Sequence, residues 1–229
     1  MNLENVEKSV CEILKNDKSG HGFDHILRVR ELAKSFAKVE KADVELCELA
    51  ALLHDVDDYK LFGEAAAKTL PNARKILREN HVDEETSRKV LEIIWTVGYD
   101  KYLKGVEPKT QEAKIVNDAD LCDALGAQGI LRAHLFSVAH GQVFFDQNFA
   151  PNNAELSPEK YKTNKSAHTA QHFFDKLLRI NAILATRAGR AEGAKRQKIM
   201  VEFLRELFRE EKAETWANYL EEFLKKEGK

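Results

Sequence analysis

The chain has 229 residues, 43% of them apolar and 32% charged, which supplies both a core and a wet surface and excludes disorder, collagen and coiled-coil fibre. Thirty-six Lys and Arg against 38 Asp and Glu leave a formal net charge of -2, so no global field draws in a nucleic acid polymer. No apolar run approaches the roughly 20 residues that span a bilayer.

The first residues, MNLENVEKSVCEILKN, mix charged and apolar positions instead of forming an apolar signal segment, so the expectation is a cytoplasmic protein with no membrane partner. Val29, Leu32, Ala33 and Phe36 recur at the spacing of one helix face. The run from Leu46 to Leu53 is apolar almost all round, which predicts a central helix packed on several sides. Cys47 lies in that run, and with Cys11 and Cys122 it makes an odd number of cysteines without C-x-x-C spacing, a reduced set with no disulfide framework.

Val90, Ile93, Ile94 and Val97 form a second helix face, followed by a loop over 98–110 that contains Gly105 and Pro108. A longer loop over 141–165, with Pro151, Asn152, Asn153 and Pro158, reads as a lid or an irregular segment. Helix returns with Phe173, Leu177, Ile180 and Leu184, then Met200 to Phe208, then Trp216, Tyr219, Leu220 and Phe223. No strand pattern is found. The expected fold is all-α, a single helical bundle over 1–165 with appended C-terminal helices over 166–229 packed on it.

Three polar islands interrupt apolar periodicity: 20–29, with His21, Asp24, His25 and Arg28; 51–58, with His54, Asp55, Asp57 and Asp58; and 116–124, with Asp118, Asp120 and Asp123. Charge beside a core costs several kcal/mol unless it is paired or bound to a metal. Imidazoles and carboxylates together are a standard donor mixture for first-row divalent ions. His54 and Asp55 are neighbours, about 100° apart on a helix, so both reach one ion only at a helix end.

The order of these islands, a histidine at a helix start, His-Asp ending an apolar helix and Asp-Ala-Asp about 65 residues later, resembles the HD superfamily of metal-dependent phosphohydrolases. The resemblance implies an HD-type helical core and makes His25, His54, Asp55 and Asp120 ligands of one divalent metal ion, with Mn²⁺, Co²⁺ or Ni²⁺ ahead of Mg²⁺, Fe²⁺ or Zn²⁺. GAQGILR over 126–132 and QHFFDKLL over 171–178 are similar to the bacterial branch that includes nucleoside-triphosphate pyrophosphohydrolases. That implies a nucleotide substrate cleaved to monophosphate and pyrophosphate.

Two departures from that branch stand out. Leu121 replaces an arginine, and 134–142 carries no Lys or Arg. Asp58, four residues past His54, would return to its helix face and orient or deprotonate water as the catalytic carboxylate. Arg28 either holds a phosphate or braces Asp55 or Asp58. Lys60, His172, Lys176 and Arg179 are the remaining candidates for substrate contact, the last three on one helical stripe, whereas Asp57 reads as solvated and Asp118 and Asp123 as supporting or capping residues. The alternatives are a nucleoside monophosphate phosphatase or phosphodiesterase, and a non-catalytic nucleotide-binding helical module. The oligomeric state stays open.

Overall fold

The computed structural model describes residues 2–15, 17, 22–152 and 168–227. His21 and the part of the expected lid from 153 to 165 lie outside them. Among the described residues all regular structure is helical and no strand occurs, and no helix is long and apolar enough to cross a membrane. The chain forms two compact units, Met1–Asp123 with Ala185–Gly189, and Ala124–Leu184 with Arg190–Lys229.

The first unit holds α1 (Leu3–Leu14), α2 (Phe23–Glu40), α3 (Val44–Leu53), α4 (Tyr59–Thr69), α5 (Pro71–Glu79), α6 (Glu84–Ile94), α7 (Tyr99–Leu103) and α8 (Gln111–Asp123). Short polar side chains start several of them. Asn2 accepts from the Glu4 amide, Asp43 from Leu46 and Asp83 from Thr86, each satisfying an amide the helix leaves unpaired. The expected central helix is α3, where Cys47 and Leu49 to Leu53 are all buried. Glu48 is buried among them, compensated by Arg30 at 3.0 Å and Lys34 at 3.4 Å. Helix α2 packs on both α3 and α8, and these three helices carry the three polar islands. The stretch read as a loop over 98–110 contains the short α7, which begins after Gly98 at φ 115°.

The second unit holds α9 (Gly126–Ala139), α10 (Thr169–Asp175), a 3₁₀ turn (Leu177–Arg179), α11 (Ile180–Ile183), α12 (Arg187–Glu210) beyond Gly189, and α13 (Glu214–Glu227). Phe173, Phe174, Phe208 and Trp216 are buried at its centre. The stretch 124–152, expected with the bundle, groups instead with the C-terminal helices. Phe144 packs 5.5 Å from Phe203, and the Ala170 amide donates to the Phe144 carbonyl at 2.8 Å. Composition marks the loop as the break, but the burial of these aromatics is what divides the contacts.

Candidate metal centre

His25 lies in the first turn of α2, entered through Gly22, whose carbonyl accepts from the His25 amide at 3.0 Å. His54 caps the C-terminus of α3 and Asp55 begins the turn after it, the helix end that two adjacent ligands require. Asp120 comes from within α8. The His25 Nε2 atom lies 3.3 Å from His54 Nε2, 3.5 Å from Asp55 Oδ2 and 3.4 Å from Asp120 Oδ1. His54 Nε2 is 3.6 Å from each carboxylate oxygen.

The other nitrogen of each ring is already committed. His54 Nδ1 lies 2.8 Å from the Ala51 carbonyl, which can only accept, so Nδ1 carries the proton and Nε2 presents its lone pair. His25 Nδ1 lies 2.7 Å from Asp123 Oδ2 with the same consequence. Both imidazole Nε2 atoms and Asp120 Oδ1 therefore lie close enough together to hold one metal ion, and Asp55 Oδ2 stands 3.5 and 3.6 Å from the two imidazoles. The spacing fits a metal ion: donors about 2.1 Å from a common ion lie about 3.0 Å apart at right angles and about 3.4 Å apart at the tetrahedral angle.

The electrostatics agree. Burial would raise the Asp120 carboxyl, but hydrogen bonds and charge from His25 and His54 outweigh it and hold Asp120 well below the usual carboxylate range. Burial would lower His54, but Asp55 and Asp120 outweigh it and hold that imidazole above its ordinary value. Both directions express one attraction, between the imidazoles and the carboxylates beside them.

The remaining expected residues are placed differently. Arg28 faces neither Asp55 nor Asp58: it forks onto Asp123, with Nε to Oδ1 at 2.8 Å and a terminal nitrogen to Oδ2 at 3.1 Å, and reaches Asp24 at 2.7 Å. The i, i+4 spacing of Asp24 and Arg28 is the signal that marks that pair. Asp58 does not lie on the face of His54, because α3 ends at Leu53. It caps α4 instead, with Oδ1 accepting from the Lys60 amide at 2.8 Å. Asp57 is buried rather than solvated, accepting from the Asn72 and Ala73 amides at the start of α5 at 3.0 and 2.9 Å. Lys60 is exposed, its ammonium 5.7 Å from the centre of the Tyr59 ring.

His172, Lys176 and Arg179 belong to the second unit and do not form one helical stripe. The helix breaks at Lys176 (φ -138°, ψ -61°), and Arg179 turns back to donate to the Phe174 carbonyl at 2.8 Å and to stack 4.9 Å over Phe223. Asp118, fully buried, grips the backbone amides of Ala185 and Thr186 and the Thr186 hydroxyl. Neither residue of that turn carries a sequence signal, since no spacing rule links positions so far apart.

The HD domain family model matches residues 22–125, the stretch that carries His25, His54, Asp55 and Asp120. The Bacillus subtilis protein YpgQ is 33% identical over 205 residues, covering 89% of this chain and 91% of its own. Its crystal structure in complex with ADP superposes with a TM-score of 0.70 over 91% of this chain and 97% of that one, at 28% identity. A Lactobacillus plantarum crystal structure gives a TM-score of 0.78 at 31% identity over 92% and 97% of the two chains. A Bacillus thuringiensis HD-superfamily hydrolase gives 0.69 at 33% identity over 92% and 98%. With its histidines and aspartates ordered and assembled in this way, the chain belongs to the HD superfamily of hydrolases.

Proposed function

We propose that the protein is a metal-dependent phosphohydrolase acting on nucleotides, and that its reaction converts a nucleoside triphosphate to a monophosphate and pyrophosphate. The observation that carries this reading is the grouping of His25 Nε2, His54 Nε2 and Asp120 Oδ1 within 3.3 to 3.6 Å of one another, with Asp55 Oδ2 3.5 and 3.6 Å from the two imidazoles and both Nδ1 atoms engaged elsewhere. This set suits one divalent ion such as Mn²⁺, Co²⁺ or Ni²⁺. When bound, such an ion acidifies a water and takes charge from phosphoryl oxygens.

The chain's own residues do the rest. With their Nδ1 protons donated to Asp123 and the Ala51 carbonyl, His25 and His54 would offer Nε2 to the ion, while Asp55 and Asp120 supply the negative charge. Asp58, whose amide donates to the Asp55 carbonyl at 3.1 Å, is the carboxylate we assign to orient the attacking water and take its proton. Lys60, two residues on and exposed, is the cation we assign to a phosphate. Arg28 has no part in phosphate binding in this reading, since its fork is spent on Asp123.

The similarity to YpgQ, which has been crystallised with ADP, supports a nucleotide as the substrate class. The test is turnover of nucleoside mono-, di- and triphosphates with added Mn²⁺, with pyrophosphate and orthophosphate detected separately. Pyrophosphate with a monophosphate product supports the proposal, and orthophosphate released from a monophosphate favours the phosphatase. Absence of turnover with every nucleotide by the metal-loaded protein overturns the enzyme reading.

A further inference from the structure

One turn of α8 clamps the His25 ring at both ends. Asp120 Oδ1 lies 3.4 Å from Nε2, and Asp123 Oδ2, three residues later, lies 2.7 Å from Nδ1. His54 takes its orientation from a backbone carbonyl, Ala51, which no substitution removes. Among the convergent histidines, His25 is therefore the one whose orientation depends on a side chain. The Asp123 side chain is fully buried, and an uncompensated carboxylate there would be expelled or neutralised. Arg28 prevents that with a two-point fork at 2.8 and 3.1 Å and is itself anchored by Asp24 at 2.7 Å. The guanidinium thus spends Nε and both terminal nitrogens on two carboxylates, and its plane is fixed.

We propose that Asp123 is the positioning residue of the metal centre and that Arg28 acts on that centre through Asp123, not on a substrate phosphate. The proposal rests on the reading of His25 as a metal ligand. Asp123 holds the His25 proton on Nδ1 and sets the ring plane, so that the Nε2 lone pair points at Asp55 and Asp120. A carboxylate behind a ligating imidazole typically changes metal affinity by about 10- to 100-fold. A phosphate contact, by contrast, has no effect until a nucleotide is present.

The experiment is calorimetric titration of nucleotide-free protein with Mn²⁺, together with the visible absorption of the Co²⁺-loaded form, for wild type, Asp123→Ala, Asp123→Asn and Arg28→Met. Asp123→Ala is expected to weaken Mn²⁺ binding about 10- to 100-fold and to shift the Co²⁺ bands. Asp123→Asn keeps an oxygen that accepts from Nδ1 and should fall between Ala and wild type, and Arg28→Met should weaken binding with no nucleotide present. Wild-type Mn²⁺ affinity and an unshifted Co²⁺ spectrum in the Asp123 variants, with native circular dichroism, overturn the proposal. If the alanine variant does not fold, wild-type affinity in both Asp123→Asn and Arg28→Met overturns it equally. Failure of the wild-type protein to bind Mn²⁺ or Co²⁺ would instead sink the metal centre itself.

Discussion

Asp118 on α8 and Thr186 ahead of α12 are joined twice: the Thr186 amide and its hydroxyl each donate to the same Asp118 oxygen at 2.7 Å. The hydroxyl in turn accepts from the Gly189 amide at 2.9 Å, so one residue ties the helix carrying Asp120 to the start of α12. Thr186→Val is expected to cost about 1 to 2 kcal/mol through the lost cap and hydrogen bond. At about 2 to 4 °C per kcal/mol this is a readable drop in Tm. Gly189→Ala should cost more, because a Cβ there would sit 2.3 Å from the Asp118 carboxylate. An unchanged Tm in both variants would show that this junction contributes nothing to stability.

His54→Ala and Asp55→Ala are expected to abolish metal binding while leaving helical content intact, since both residues sit at the end of α3 and not within it. For the wild-type protein, Mn²⁺ at about 100 times its Kd should add about 2.7 kcal/mol of stability. Neither variant should gain any. Metal analysis, circular dichroism and melting with and without Mn²⁺ check this together, and a Mn²⁺-induced rise in Tm in either variant would remove that residue from the ligand set.

Asp58→Asn isolates charge from structure. Asparagine caps a helix about as well as aspartate, so the start of α4, where Oδ1 accepts from the Lys60 amide, should survive. Turnover should fall by roughly 10² to 10⁴-fold, the usual contribution of a general base, with Mn²⁺ affinity unchanged. Unaltered kcat would confine Asp58 to capping.

Hydrolysis of a nucleoside triphosphate in ¹⁸O-labelled water should place the label on the monophosphate product, as attack at the α-phosphorus requires. Mass spectrometry of the products reads this directly. Label found only in orthophosphate would mean terminal attack and would end the pyrophosphohydrolase reading while leaving the metal centre intact.

In the second unit, His168 is fully buried beside Phe145 and Trp216, and its Nδ1 accepts from the Gln171 amide at 3.2 Å to cap α10. Burial holds this imidazole below its ordinary value, against the opposing charge of Asp146. The unfolded imidazole titrates near about 6.5, so the unfolded chain takes up the proton first as pH falls. The stability contribution of His168 is complete above that value and is lost as pH falls through the lower folded-state pKa. Wild type should therefore lose more Tm between pH 8 and pH 5.5 than His168→Gln does. Equal losses would remove His168 from the acid response.

His25, His54, Asp55 and Asp120 are legible in the chain as candidates because each sits where a local pattern breaks: His25 at a helix start, His54 and Asp55 where an all-apolar helix stops, and Asp120 inside an otherwise apolar segment. Charge at such places demands compensation whatever the fold, and the order of the motifs resembles one family. The helical periodicity of α2, α3 and α6 was equally local and is found in the structure. Local rules failed where the chain departed from the regular helix they assume. The four-residue spacing puts Asp58 on the face of His54 only if α3 continues, yet α3 ends one residue before His54. His172, Lys176 and Arg179 formed a stripe only on a helix that the structure breaks at Lys176.

The wiring behind those positions emerges only when the helices pack. Arg28 is three residues from His25 in sequence but meets it through Asp123, 95 residues away. Asp118 finds its partners 67 and 68 residues on. Buried carboxylates must be satisfied, but sequence leaves the partner undetermined, because a hydrogen bond selects by distance and direction and not by separation along the chain. Local pattern alone marks these points as places where charge meets the core. The packing of α2 against α3 and α8 decided which groups answer it.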